Sequence, residues 1–364
     1  MKKILTVFGT RPEAMKMCPL VIEMKRRSGL ETTVCVTSQH KEMLASALDF
    51  FGVIPDSDLD IMTAGQTLFD IGEKTTSGLR EIIGKEKPDI VAVHGDTTTA
   101  FASALCAFYM GVPVAHVEAG LRTYNVCSPY PEEFNRAAID KIAKYCFAPT
   151  ERAAQNLARE GKRDDEIFVV GNTAIDALKY TKRGEVRREI LDAARGKRII
   201  TVTAHRRENI GEHMKNMFSA IADIARSYPD TLTVYPVHKN PAVKELAKEY
   251  LDGIENVILC EPMNTPEFHS LLSRSYLTLT DSGGIQEEAP SLGCPVIVMR
   301  DTTERPEAVD AGTAILAGTG RKEIYDTAAR LLDDKSLHDK MKSAKNPFGD
   351  GHASRRICDI LEKI

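Results

Sequence analysis

Short runs rich in β-branched residues alternate with longer helical patterns along almost the whole chain, and no other feature restricts its fold as strongly. Candidate strands fall at 3–9, 31–38, 89–95, 112–118, 145–149 and 166–171. They resume at 197–204, 231–237, 256–260, 276–281 and 295–299. Alternation of this kind builds parallel sheets from βαβ units, giving an α/β fold. The runs are apolar nearly throughout, as strands covered on both faces are. Eleven strands are many for one sheet, and 364 residues suit two domains at roughly 100–200 residues each. A charged helical stretch over 177–198 interrupts the pattern, so the interdomain region is expected between Gly171 and there. The expected division is 1–171, 172–348 and a tail, 349–364. On residues alone, the tail's glycine-rich turn and helix can simply cap the second domain.

Composition narrows the function classes. Hydrophobic residues make up 43% and charged residues 27%, an ordinary soluble balance. A net charge of −4 argues against a broad surface for nucleic acid or anionic membrane. The first apolar run, "ILTVF", is followed at once by Gly-Thr-Arg-Pro-Glu, so it reads as a strand rather than a signal peptide. No run approaches the roughly 20 apolar residues of a membrane helix, and a cytoplasmic protein is expected. The eight cysteines include no C-x-x-C pair, and several lie in apolar runs, which favours buried reduced thiols over disulfides. No histidine spacing matches a zinc site, so no metal is expected.

In parallel sheets the ligand crevice lies outside the carboxyl ends of the strands. At those ends the chain puts polar groups in unusual numbers. "GTRPEAMKM" offers Arg11 and Lys16 around a helix start, where an anion shared with the helix would explain two cations, though a solvated turn also fits. "HGDTTTA" brings out Asp96, either a helix N-cap or an acid/base group. "HVEAGLRT" closes an apolar run with Glu118, and "SPYPEEFNR" adds Glu132 and Glu133, which can equally be dipole-favoured charges in a first turn. Further on, "TAHRREN" carries His205 and Arg206, and "PVHKNP" carries His238. "LTDSGGIQEEA" reads as strand, tight turn and helix start. There Ser282, Gly283 and Gly284 can present N–H groups to a diphosphate. Glu287 and Glu288 lie about 100° apart around a helix, so at most one can reach a ligand, where a carboxylate suits ribose hydroxyls.

Taken in order, "FGTRPEAMKMCPL", "VHGDTTTAFASA", "HVEAGLRT", "PEEFNR", "GNTAIDAL", "TAHRREN", "PVHKNP", "DSGGIQEEAPSLGCPVIVMRDTTERPEA" and "NPFGDGHAS" resemble the non-hydrolysing UDP-N-acetylglucosamine 2-epimerases. The match runs from residue 8 almost to the end. The resemblance implies two Rossmann-like domains in a glycosyltransferase-B-like architecture, an active site in the interdomain cleft, and a last helix that crosses back onto the first domain. It implies interconversion of UDP-GlcNAc and UDP-ManNAc for surface polysaccharide precursors, by a homodimer, with no cofactor and no metal. The family eliminates UDP from C1 as the C2 hydrogen is removed, giving 2-acetamidoglucal. UDP then adds back while C2 is reprotonated on the other face.

Position by position, the family's catalytic groups fall on Asp96, Glu118, Glu132 and His205. Ligand contacts fall on Arg11, Lys16, His238, Ser282, Gly283, Gly284 and Arg305, with Phe268 near the uracil and Glu288 on the ribose. A second, regulatory UDP-GlcNAc site of some members falls on Gln39, His40, Gln66 and Arg206. Many regulated members carry Arg just before the Gln66 position, and this chain has Gly65. A hydrolysing relative releasing ManNAc and UDP, a glycosyltransferase of the same fold, and a nucleotide-sugar sensor are the competing readings.

Overall fold

In the computed structural model all residues are described except 40, 64 and 183. The chain forms two compact units, Met1–Ala177 with Phe348–Ile364, and Leu178–Pro347.

The first unit carries seven parallel strands: β1 (Lys2–Phe8), β2 (Leu30–Val36), β3 (Ser57–Asp58), β4 (Ile90–His94), β5 (Val114–Val117), β6 (Tyr145–Ala148) and β7 (Ile167–Val169). Their order is β3-β2-β1-β4-β5-β6-β7. The second carries six: β8 (Arg198–Thr203), β9 (Thr231–Pro236), β10 (Val257–Cys260), β11 (Leu277–Thr280), β12 (Val296–Val298) and β13 (Ala314–Leu316). Their order, β10-β9-β8-β11-β12-β13, repeats the same winding. Both are doubly wound Rossmann-like sheets. In each, order reverses beside the first strand, so the crevice lies at the ends of β1 and β4 in one unit and of β8 and β11 in the other.

Two strands escape the sequence pattern, β3 and β13. Both are edge strands of two or three residues, too short to carry a run of β-branched residues. The central strands are buried end to end: β4 is wholly enclosed, and Leu5, Val7, Val91 and Val93 join one core with Ile83 and Leu79 from the helix Leu68–Glu86. In the second unit Val202, Leu279 and Tyr235 pack with Met217, Phe218 and Ile221 of the helix Glu212–Ser227. Truncating a side chain such as Phe218, fully buried there, costs about 3–5 kcal/mol. Six cysteines are buried, Cys260 is half-buried and Cys127 is exposed; all eight are free.

The tail belongs to the first unit, so the reading that it caps the second domain is overturned. Asp176 accepts from the backbone N–H groups of Ala353 and Ser354 at 3.0 and 2.9 Å, which anchors the start of the helix Ala353–Leu361. Arg27 pairs with Asp359 at 2.8 Å and Glu362 at 3.2 Å, and Lys2 Nζ donates to the Leu361 carbonyl at 3.1 Å. Asp176 lies 177 residues from Ala353 in sequence and Lys2 lies 359 from Leu361, a pairing that no local pattern reveals. Among the described residues no helix is long and apolar enough to cross a membrane.

Candidate functional site

The ends of β1, β4 and β5 open onto a cavity of about 530 Å³ lined by Arg11, Lys16, Gln39, His94, Asp96, Glu118 and Glu132, among others. Thr10 begins the helix Arg11–Lys25 with a capping box, its hydroxyl accepting from Glu13 N–H while Glu13 reaches back. Pro12 sits in the first turn, where its missing N–H costs nothing. Glu13 is buried and accepts from Thr10 N–H (2.8 Å), Gly9 N–H (3.1 Å) and Thr97 Oγ1 (2.7 Å). Burial raises its pKa against the pull of those donors. The sequence reading passed over Glu13, although the capping box was visible in Thr10-x-x-Glu13.

Asp96 is not the N-cap; Thr97 is, with its hydroxyl accepting from Ala100 N–H at 3.0 Å. Asp96 is thereby left to face the cavity, paired with Arg136 at 2.9 Å, while Asn135 Nδ2 holds its carbonyl at 2.9 Å. Desolvation raises its pKa, opposed mainly by Arg136. Glu118 lies one residue past β5, not inside a strand, with φ of +69°. A non-glycine residue in that region costs on the order of 1–3 kcal/mol, which must be offset by its surroundings. Its Oε2 accepts from Lys16 Nζ and from Asn172 Nδ2 at 3.0 Å, and lies 3.8 Å from His94 Nε2. Lys16 thus pairs with the Glu118 carboxylate and also lines the cavity. Glu132 begins the helix Glu132–Ile142, and Glu133 turns inward, accepting from Thr123 and Tyr124 N–H at 3.0 and 2.8 Å. His94 is buried with neither ring nitrogen hydrogen-bonded, and desolvation pulls its pKa down to about 3.

Gln39 joins the same cavity, accepting from Thr99 Oγ1 at 2.8 Å, and Gln66 Nε2 donates to the Gln39 carbonyl at 3.4 Å. His40 lies outside the described residues.

In the second unit, the loop after β8 is organised by Asp281, which is fully buried at the end of β11. Its carboxylate accepts from His205 N–H (3.0 Å), Arg206 N–H (2.9 Å) and Asn209 Nδ2 (3.1 Å). The His205 ring stacks on His238 with centroids 5.5 Å apart. His238 Nδ1 accepts from Asn240 N–H at 3.2 Å, so Nε2 carries its proton, and burial with the His205 neighbour lowers its pKa. Ser282 caps the six-residue helix Gly283–Glu288. A side chain at Gly283 would lie 3.7 Å from Arg206 and 3.9 Å from Arg305, so two guanidinium groups flank this turn. Of the two glutamates, Glu287 is the buried one and pairs with Arg305. Glu288 accepts from His269 Nε2 at 3.2 Å, and Phe268 lies half-buried on the helix Thr265–Leu272 beside it in sequence. Asp281 and Asn172 stand in quoted motifs but carried no assignment, because only their buried partners reveal their work. Among the described residues no group of three His, Cys, Asp or Glu side chains could hold a metal ion.

The model of the UDP-N-acetylglucosamine 2-epimerase family matches residues 22–362. A Bacillus subtilis (strain 168) protein named UDP-N-acetylglucosamine 2-epimerase is 53% identical over 359 residues, 99% of this chain and 94% of its own length. The crystal structure of UDP-GlcNAc 2-epimerase from Neisseria meningitidis bound to UDP-GlcNAc is 44% identical, covers 100% of both chains and superposes with a TM-score of 0.88. A glycosyltransferase associated with kitacinnamycin shares 13% identity over 100% of this chain and 98% of its own, with a TM-score of 0.68, a likeness of fold alone. With the family model matching residues 22–362, 53% identity to one relative over 99% of the chain and two Rossmann-like units, the chain belongs to the UDP-N-acetylglucosamine 2-epimerase family.

Proposed function

We propose that this protein interconverts UDP-GlcNAc and UDP-ManNAc without hydrolysis, through elimination of UDP and its readdition to 2-acetamidoglucal. The observation that carries the reading is the gathering of Asp96, Glu118 and Glu132 with Lys16 around one cavity. C2 of the sugar has no adjacent carbonyl, so its hydrogen leaves only if the C1–O bond breaks as well. Such a reaction needs a base, an acid for the opposite face and cations for the departing diphosphate. Glu118, accepting from Lys16 and Asn172, is suited to the carboxylate form and serves as base. Asp96, made a weaker acid by burial, is suited to deliver a proton. Glu132 completes the set at the mouth of the helix Glu132–Ile142.

Nucleotide recognition falls to the second unit. Ser282, Gly283 and Gly284, flanked by Arg206 and Arg305, suit the diphosphate, with His205 and His238 as further donors. Glu288 takes the ribose and Phe268 the uracil. Gln39 and Gln66 would belong to a weakly regulated second UDP-GlcNAc site, with Gly65 supplying no charge there. The product would feed surface polysaccharide synthesis in the cytoplasm. A homodimer is part of the proposal, supported by exposed Phe69, Phe108, Tyr109 and Phe134 on adjoining helices of the first unit.

The test is incubation with UDP-GlcNAc alone in heavy water. Deuterium at C2 of the UDP-ManNAc formed, with little free ManNAc, is expected. Accumulation of free ManNAc would assign the protein to hydrolysis, and no reaction without a second acceptor would favour sugar transfer.

A further inference from the structure

His116 contacts none of the cavity, yet it is wholly buried between the two turns that carry Asp96 and Glu118. Its Nε2 lies 2.7 Å from the carbonyl oxygen of Gly95, and its Nδ1 lies 2.6 Å from Asp140 Oδ1. A carbonyl oxygen can only accept, so Nε2 carries a proton. Asp140 is fully buried, which by itself would raise its pKa, but His116 and Arg122 outweigh that and hold it below the usual range. It is therefore a carboxylate, and Nδ1 donates to it. The other Asp140 oxygen accepts from Gly120 N–H at 3.1 Å and from Arg122 at 2.8 Å. Arg122, itself enclosed, makes two 2.7 Å bonds to Glu160. Two cations and two anions thus form a closed, paired chain from the Glu160 surface to the Gly95 carbonyl.

The network meets two turns with left-handed backbone, in which only Glu118 is a non-glycine residue and so strained. Gly95 has φ of +65° and immediately precedes Asp96. Glu118 has φ of +69° and Gly120 has φ of +85°. A side chain at Gly120 would come within 2.3 Å of the Ala153 carbonyl, so this turn is pressed against the neighbouring helix Glu151–Arg159. One ion network grips the Asp96 turn by its carbonyl and the Glu118 turn by an amide. The Gly95 N–H also donates to the Val117 carbonyl at 2.9 Å, so the two turns meet at the end of the β4–β5 pairing, and His116 with Asp140 ties the residues just beyond it.

We infer that His116 and Asp140 are positioning residues that set the spacing of Asp96 and Glu118, and with it the relay of protons across the two faces of the sugar. The inference rests on the epimerase reading for its kinetic consequence, but not for its geometry. A misplacement of about 1 Å is enough to cost roughly 10²-fold in rate. His116→Gln carries both its N–H donors on one nitrogen and cannot reach the Gly95 carbonyl and Asp140 on the two sides of the ring. Asp140→Asn keeps the shape and the Gly120 bond while removing the charge.

The test measures kcat, KM, UDP affinity and released 2-acetamidoglucal for both variants, alongside thermal unfolding and crystal structures of each. His116→Gln should lower kcat by about 10²-fold, with UDP affinity changed less than threefold and a larger share of turnovers ending in escaped glycal and UDP. Asp140→Asn should show the same split with a smaller loss, and it remains the readout if His116→Gln does not fold. A folded variant with wild-type kcat and wild-type product ratio would overturn the inference. So would crystal structures in which the Gly95 and Glu118 turns have not moved. If the wild-type protein does not epimerise, the proposed function fails, and those structures still decide whether this network sets the spacing.

Discussion

The two units use the same topological position, the strand ends at a switch point, in opposite ways. In the first, the polar side chains facing the cavity are bonded to one another: Lys16 to Glu118, Arg136 to Asp96, Thr97 to Glu13. In the second, the carboxylate at the end of β11 bonds chiefly to the backbone of the neighbouring loop. Asp281 grips the N–H groups of His205 and Arg206, and the His205 side chain stays 42% exposed. Under the proposed division of labour, the difference teaches what each unit is built to tolerate. Groups that exchange protons need environments that push their affinities apart, and this demands enclosure. Groups that catch and release a charged nucleotide need a rigid loop with side chains left to solvent.

The comparison breaks if the enclosed carboxylates prove to be binding groups. Asp96→Asn and Glu118→Gln should each lower kcat by about 10²–10⁴-fold, the usual range for a lost acid or base, with UDP affinity within threefold of wild type. Steady-state turnover with calorimetric titration of UDP checks this, and normal turnover with abolished UDP binding would reverse the division of labour. The next largest effect concerns the anchor of the second unit. Asp281→Ala strands three donors, at about 1–3 kcal/mol, and should weaken UDP binding by roughly 10- to 100-fold as the His205 loop loosens. Retention of wild-type UDP affinity in a folded variant would show that the loop is held by other means.

Acid sensitivity offers a third test, specific to the enclosed side. His94 has an ordinary value of 6.5 when unfolded and about 3 when folded, chiefly because burial disfavours its charged form. Between those values the unfolded chain binds more protons, so stability is complete above 6.5 and declines as pH falls. From pH 7 to pH 5 the wild type should lose on the order of 1–2 kcal/mol more than His94→Gln. Urea midpoints at the two pH values measure it, and parallel losses would mean His94 accepts its proton without penalty. The smallest effect is Glu288→Gln, which should weaken UDP about fivefold, a neutral hydrogen bond's worth, and leave kcat at saturation alone.

Much of this architecture is legible from local pattern, because it depends on local pattern. β-branched runs form strands, Thr10 and Thr97 cap the helices that follow, and burial on both faces leaves the runs apolar. The residues that end those strands, Asp96, His205 and Asp281 among them, are consequently where a crevice must be. Which of them would meet was a different matter. Short edge strands such as β3 and β13 have no run to announce them. Asp96 reads as a helix cap until Thr97 takes that place. The tail's docking on the first unit depends on Lys2, Arg27 and Asp176, and nothing in "NPFGDGHAS" encodes those partners. His116 and Asp140 look like ordinary members of an apolar strand and a helix. Their buried charges are tolerable only when paired across 24 residues of chain, and the pairing exists only once β5 and the helix Glu132–Ile142 are packed. Sequence by itself determined the residue types, the periodicities and hence the two Rossmann-like sheets. Tertiary structure decided which of those residues are enclosed and which partners they meet, because burial and ion pairing exist only once the elements are packed.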